Sequence, residues 1–74
     1  MNAERVERLK AVRNRVAAEL GLEPGVLCGR TTLEAVAGAL PLPNDRAGLA
    51  RIGELRRWQI DVLGDALLAA LAPS

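Results

Sequence analysis

The sequence contains no histidine, phenylalanine or tyrosine, a single cysteine and a single tryptophan. Each gap excludes some chemistry. Without histidine, a serine or cysteine nucleophile lacks its usual general base. Ser74, the only serine, is a poor nucleophile candidate. Structural and catalytic zinc sites are built mainly from Cys and His, so one thiol and the carboxylates are all a metal has to bind. No catalytic residue, metal site or cofactor is expected. Cys28 has no partner for an internal disulfide, which fits a reducing, cytoplasmic setting and an inert, partly buried thiol. No apolar run approaches the ~20 residues that span a bilayer, and no signal-peptide pattern opens the chain.

Two motif-like stretches fail on inspection. Gly29-Arg30-Thr31-Thr32 resembles the end of a phosphate loop, but it lacks the upstream glycine and strand, and Arg30 stands where lysine is required. Asp61 and Asp65 lie one helical turn apart, a spacing read here as the solvated face of a helix rather than a metal or acid–base pair.

What is present is helical material. Half of the 74 residues are apolar, chiefly Ala, Leu and Val, and the Ala and Leu among them are strong helix formers. A chain of this length makes one domain, here residues 1–74, and buries roughly 60% of its unfolded surface. Ten basic residues against nine acidic ones leave a net charge of +1. That is a weak footprint for a duplex binder, so any nucleic-acid contact has to come from a local patch.

The spacing predicts a first helix over 2–20, with Val6, Leu9, Val12, Val16 and Leu20 on one face and Gly21 as its C-terminal cap. Glu4 with Arg8 and Glu7 with Lys10 are spaced for ion pairs along it. Residues 22–27 read as a loop or short helical turn that sends Val26 and Leu27 into the core. Thr31 and Glu34 match a capping box before a helix carrying Leu33, Val36, Ala37 and Leu40 inward. Pro41-Leu42-Pro43 is a stiff extended connector. Asn44 or Asp45 then caps a short helix with Leu49 and Ile52 buried, ending at Gly53. A last helix from Glu54 to Ala72 places Ile60, Leu63, Gly64, Leu67 and Leu71 in one stripe. Leu55, Trp58, Val62, Ala66 and Ala69 fall roughly opposite. Apolar on most sides, it is expected to be the spine against which the other helices pack.

The order of these signals carries a resemblance. Leu9-Lys10-Ala11-Val12-Arg13, then Glu19 to Leu27, then Thr32-Leu33-Glu34-Ala35-Val36-Ala37 precede the proline connector. Leu49-Ala50-Arg51-Ile52-Gly53, Leu55-Arg56-Arg57-Trp58-Gln59 and Val62 to Leu68 follow it. From about Arg8 to Leu71 the chain resembles the HRDC domain, found at the C-terminal end of RecQ-type DNA helicases and ribonuclease D-type exonucleases. The resemblance implies an all-α, compact bundle of about five short helices, related to helix-hairpin-helix folds. It implies a non-catalytic accessory module, monomeric in isolation. Such a module helps a parent enzyme engage single-stranded or branched DNA, or RNA, or docks on other domains of that parent. The aromatic that the family often has early in its first helix, and the tyrosine before its last glycine, are replaced here by Val12 or a neighbour and by Val62-Leu63. The stretch from Leu55 to Gln59 is nearer the ribonuclease D style.

The candidate nucleic-acid surface is the turn around Gly53, where Arg51 precedes and Arg56 and Arg57 open the last helix. Phosphate contacts there position a strand without reading it. The alternative is that these arginines solvate the surface or pair with Glu54. Lys10, Arg13 and Arg15 form a second basic cluster, read rather as a solvated face because Glu19 lies four residues beyond Arg15, and Arg30 is a lesser candidate. Trp58, like most lone tryptophans of small domains, is expected in the core. Otherwise it stacks on a base or, with Val62, anchors a partner domain.

Overall fold

The structure, a computed structural model, describes residues 2–72. Pro73, expected just past the last helix, and Ser74 lie outside the described residues. Five helices follow one another: α1 (Asn2–Leu20), α2 (Pro24–Leu27), α3 (Arg30–Ala37), α4 (Arg46–Ala50) and α5 (Arg57–Leu71). No strand occurs among the described residues. With 19 residues, α1 is about 28 Å long, which accounts for most of the 32 Å long dimension of the molecule.

The termination of α1 follows from Gly21, which takes φ +69°, a left-handed conformation that favours glycine. Its N–H reaches the Ala18 carbonyl at 3.3 Å, and the Leu22 N–H reaches that of Ala17 at 2.9 Å. This pair of bonds is a Schellman motif, and it satisfies two helix-end carbonyls. The chain then makes the single turn α2, with Pro24 in the first position, where its missing N–H costs nothing. Adjacent residues on a helical turn point about 100° apart. Leu27 is fully buried, so Val26 is left 63% exposed rather than in the core.

Two further differences from the sequence expectation have local causes. α3 starts two residues early, at Arg30 with Gly29 as N-cap, so Thr31 lies inside the first turn instead of capping it. Glu34 accepts from Arg30 Nε at 3.1 Å instead of reaching back to Thr31. The helix stops at Ala37, and Leu40 leaves its face and is exposed. Leu42 of the connector is partly buried and packs against the core.

Asp45 caps α4, accepting from the Gly48 N–H at 2.8 Å. A side chain at position 48 would bring a Cβ to 3.1 Å from the Pro43 backbone, so glycine is needed for α4 to sit this close to the connector. α4 ends at Ala50, before the expected Gly53. The chain next forms a turn in which the Leu55 N–H meets the Ile52 carbonyl at 3.0 Å, leaving Leu55 buried. α5 therefore begins at Arg57 rather than Glu54. All five residues of its predicted stripe, Ile60, Leu63, Gly64, Leu67 and Leu71, are buried.

The core joins Val6, Leu9, Val16 and Ala17 of α1 to Leu27, Leu33, Val36, Leu49, Leu55 and the α5 stripe. α5 is not the sole spine. It packs on α1 and α4, whereas α2 and α3 pack chiefly on α1. Charged side chains of α1 add two ties. Arg5 Nη1 donates to the Ala37 carbonyl at 2.8 Å, and Arg13 Nη1 to that of Cys28 at 2.9 Å. Both acceptors lie at helix C-terminal ends, where carbonyls lack intrahelical partners and the dipole favours a cation.

A third tie starts from α5. Gln59, 8% exposed, accepts from the Arg56 N–H through Oε1 at 2.7 Å and donates from Nε2 to the Leu27 carbonyl at 3.0 Å. Between α4 and α5, Arg46 grips Asp65 with two bonds of 3.1 Å. The hydrogen bond and then the charge of Arg46 hold the Asp65 carboxyl below its ordinary pKa.

Two outcomes are expected. Gln59→Ala leaves a buried carbonyl unpaired and removes a helix cap, so it should lower unfolding free energy by about 2–4 kcal/mol in urea titrations. Asp65 has a depressed pKa in the folded state. Its contribution is therefore present above the unfolded carboxyl pKa of about 4 and disappears as pH falls through the folded value. Urea midpoints of wild type and Asp65→Asn should differ near neutral pH and converge as the pH falls through the lowered folded-state pKa of Asp65.

Candidate nucleic-acid interface

The cations of this chain divide into those already occupied and those that are not. Arg5 and Arg13 hold helix-end carbonyls, and Arg13 also donates from Nε to Asn14 at 3.1 Å. Lys10 pairs with Glu7 at 3.3 Å, Arg30 with Glu34, and Arg46 with Asp65. Arg8, Arg15, Arg51, Arg56 and Arg57 are exposed and make no ion pair or side-chain hydrogen bond among the described residues.

Three of these five belong to one short stretch. Arg51 is the C-cap of α4, Arg56 the N-cap of α5, and Arg57 its first residue. Glu54, between them, is exposed and pairs with none of them. Gln59 sets this local geometry. By capping the Arg56 N–H it starts the helix at Arg57, and the buried face of α5 then begins at Gln59 and Ile60. Arg56, Arg57 and Trp58, just before it, are left on the solvent side.

The second basic cluster does not assemble. Arg13 turns inward to the Cys28 carbonyl, Lys10 is paired along its own helix, and Arg15 alone stays open. Glu4 and Arg8 form no ion pair. Arg30 is exposed, but its guanidinium is engaged by Glu34. Such exposed pairs are worth at most about 1 kcal/mol, so Arg30 remains open to exchange for a stronger anion.

Trp58 is at the surface, 46% exposed, not in the core. As the second residue of α5 it faces away from the buried stripe, and the core is filled by aliphatic side chains without it. Val62, one turn further on, is 44% exposed. Beside Arg57 a shallow groove of about 440 Å³ runs between α4 and α5. Its lining includes Ala47, Ala50, Leu55 and Ile60, with Arg57 and Asp61 as charges that form no ion pair among the described residues. Arg46 also lines this groove, and neither its position nor its Asp65 partner, 19 residues away, was evident from the sequence.

Cys28 is fully buried rather than partly so. Burial raises its thiol pKa, opposed in part by the charge of Arg13, so the thiol stays protonated at neutral pH. Among the described residues, no three His, Cys, Asp or Glu side chains converge as a metal site. No described helix is long and apolar enough to cross a membrane.

The free guanidiniums are suited to phosphate oxygens, which accept the fork of N–H donors that arginine presents. Backbone bonding inside a helix leaves its first N–H groups open to anions as well. Contacts of this kind position a strand without reading its sequence.

No curated protein and no solved structure matches the chain. The family model described as HRDC domain matches residues 2–71, nearly the whole chain. With five helices in the expected compact arrangement, the chain belongs to the HRDC domain family, the non-catalytic accessory modules known from RecQ-type helicases and ribonuclease D-type exonucleases.

Proposed function

We propose that this domain serves a RecQ-type DNA helicase, assisting its DNA binding and substrate choice through weak phosphate contacts from Arg51, Arg56 and Arg57. The observation that carries the reading is that three exposed arginines with no ion pair among the described residues flank the short α4–α5 connection, while half of the chain's cations are engaged elsewhere. A net charge of +1 keeps long-range attraction low. The domain then adds to the parent's grip on single-stranded or branched DNA rather than supplying it. The same edge serves equally in a ribonuclease D-type exonuclease, where the strand is RNA.

A second reading, docking on the parent's catalytic core, is favoured by the adjacent exposure of Trp58 and Val62. Exposed aromatic anchors of this kind are enriched at protein interfaces. Mixing the domain with the parent core and finding neither a complex nor a change in activity counts against it.

Three phosphate contacts to a single strand give a slope of log K on log salt of roughly −2. Titration of the chain with single-stranded and forked DNA should therefore show binding at low salt that weakens roughly 20-fold between 50 and 200 mM. The R51A/R56A/R57A variant should fold normally and lose most of that salt dependence. Absence of binding by the wild type at low salt would exclude direct contact.

A further inference from the structure

Trp58 is the only aromatic residue in the chain, and the fold does not use it to fill the core. The residues that do so are Leu, Val, Ile, Ala and Cys side chains. The indole remains 46% exposed, which leaves part of the ring covered by protein and part open. It directly follows Arg56 and Arg57 in the chain, both exposed and both unpaired. An aromatic surface and two cations that form no ion pair among the described residues therefore share one turn of backbone, with Arg51 at the other end of the same connection.

These neighbours narrow the choice of occupant. A purely apolar partner surface would satisfy Trp58 and Val62 but would desolvate the adjacent guanidiniums without pairing them. A nucleic-acid strand presents phosphates and flat aromatic faces at short, regular intervals, and so answers both groups together. Base–aromatic stacking is tolerant of sequence, because every base has a π-face. In a duplex those faces are covered by neighbouring base pairs, and reaching one requires unstacking. The arginines alone do not distinguish paired from unpaired strands, since both carry phosphates.

From this we infer that Trp58 is a base-stacking residue that gives the arginine edge its preference for unpaired strands. The inference rests on the nucleic-acid reading above and adds to it the residue that sets strand preference. Arg56 and Arg57 hold the backbone, and the indole covers one unpaired base.

The test uses the 74-residue chain, a short oligothymidylate, and a duplex of the same length, with labelled strands followed by anisotropy at low salt. Because no other aromatic is present, tryptophan emission reports this position alone. The single strand should quench Trp58 emission, and the duplex should do so much less. Trp58→Ala should weaken single-strand binding by about 5-fold to 100-fold and leave duplex binding nearly unchanged. Trp58→Phe should retain most of the affinity and Trp58→Leu should not, since only the former keeps a π-face. Circular dichroism of each variant verifies that it is folded.

Three results overturn the inference. If binding is salt-dependent but Trp58→Ala leaves the strand preference intact, the stacking role is wrong and the arginine reading stands. If Trp58→Leu preserves affinity as well as Trp58→Phe, the residue acts through bulk and not through its ring. If neither DNA binds, and the parent's catalytic core quenches the emission instead, both readings fail and Trp58 is a protein-docking residue.

Discussion

Gln59 is buried on α5, and both ends of its amide are in use. One atom caps the Arg56 N–H and the other donates to the carbonyl of Leu27, 32 residues earlier. The two bonds work in different places. The first sets where α5 starts, and so determines that Arg56, Arg57 and Trp58 stand outside the core. The second holds the end of α2 against α5, with Arg13 holding the next carbonyl, that of Cys28, from the side of α1. An unpaired polar group in so small a core is costly. The arrangement is stable because no buried side-chain nitrogen or oxygen among the described residues lacks a partner. The exposed edge is thus a consequence of how the interior is satisfied.

The same economy governs the arginines. A chain with nearly balanced charge has no broad positive field, so a local anion site depends on which cations are left unpaired. Arg5 and Arg13 close helix ends, and Arg30 and Arg46 meet carboxylates. The connection from α4 to α5 is different. Its only acid, Glu54, does not turn back onto its neighbours, and Leu55 is drawn into the core between them. Leu55 is the one buried residue between Arg51 and Trp58, and Arg51, Arg56 and Arg57 are each exposed.

Much of this was legible in the sequence wherever the governing interaction is local. The extent of α1 follows from an uninterrupted run of helix formers ended by Gly21, and the α5 stripe from its spacing. Asp45 capped α4 as its type and position suggested. The errors arose where two local solutions compete. Thr31 and Glu34 match a capping box, yet extended backbone at Gly29 allows the helix to begin earlier and Glu34 to meet Arg30. Val26 and Leu27 are equally apolar, and a single turn has room for only one of them inside. The long-range ties of Arg5, Arg13, Arg46 and Gln59 leave no periodic trace, because their partners are mostly backbone carbonyls or lie many residues away. Around Gly53, the exposure of Arg51, Arg56 and Arg57 agrees with their position beside a helix start. That Lys10 and Arg13 would be engaged elsewhere, and that Trp58 would be outside, required knowing where the core was already full.

The central claim is that the edge formed by Arg51, Arg56, Arg57 and Trp58 is where a nucleic-acid strand meets this domain. Amide chemical shifts recorded during titration of the isotope-labelled chain with single-stranded DNA address it residue by residue. The largest changes should fall on residues 51–58, with the connector around Pro43 and the middle of α3 undisturbed. Changes centred instead on the α1 face carrying Arg8 and Arg15, or none at saturating DNA and low salt, would contradict it.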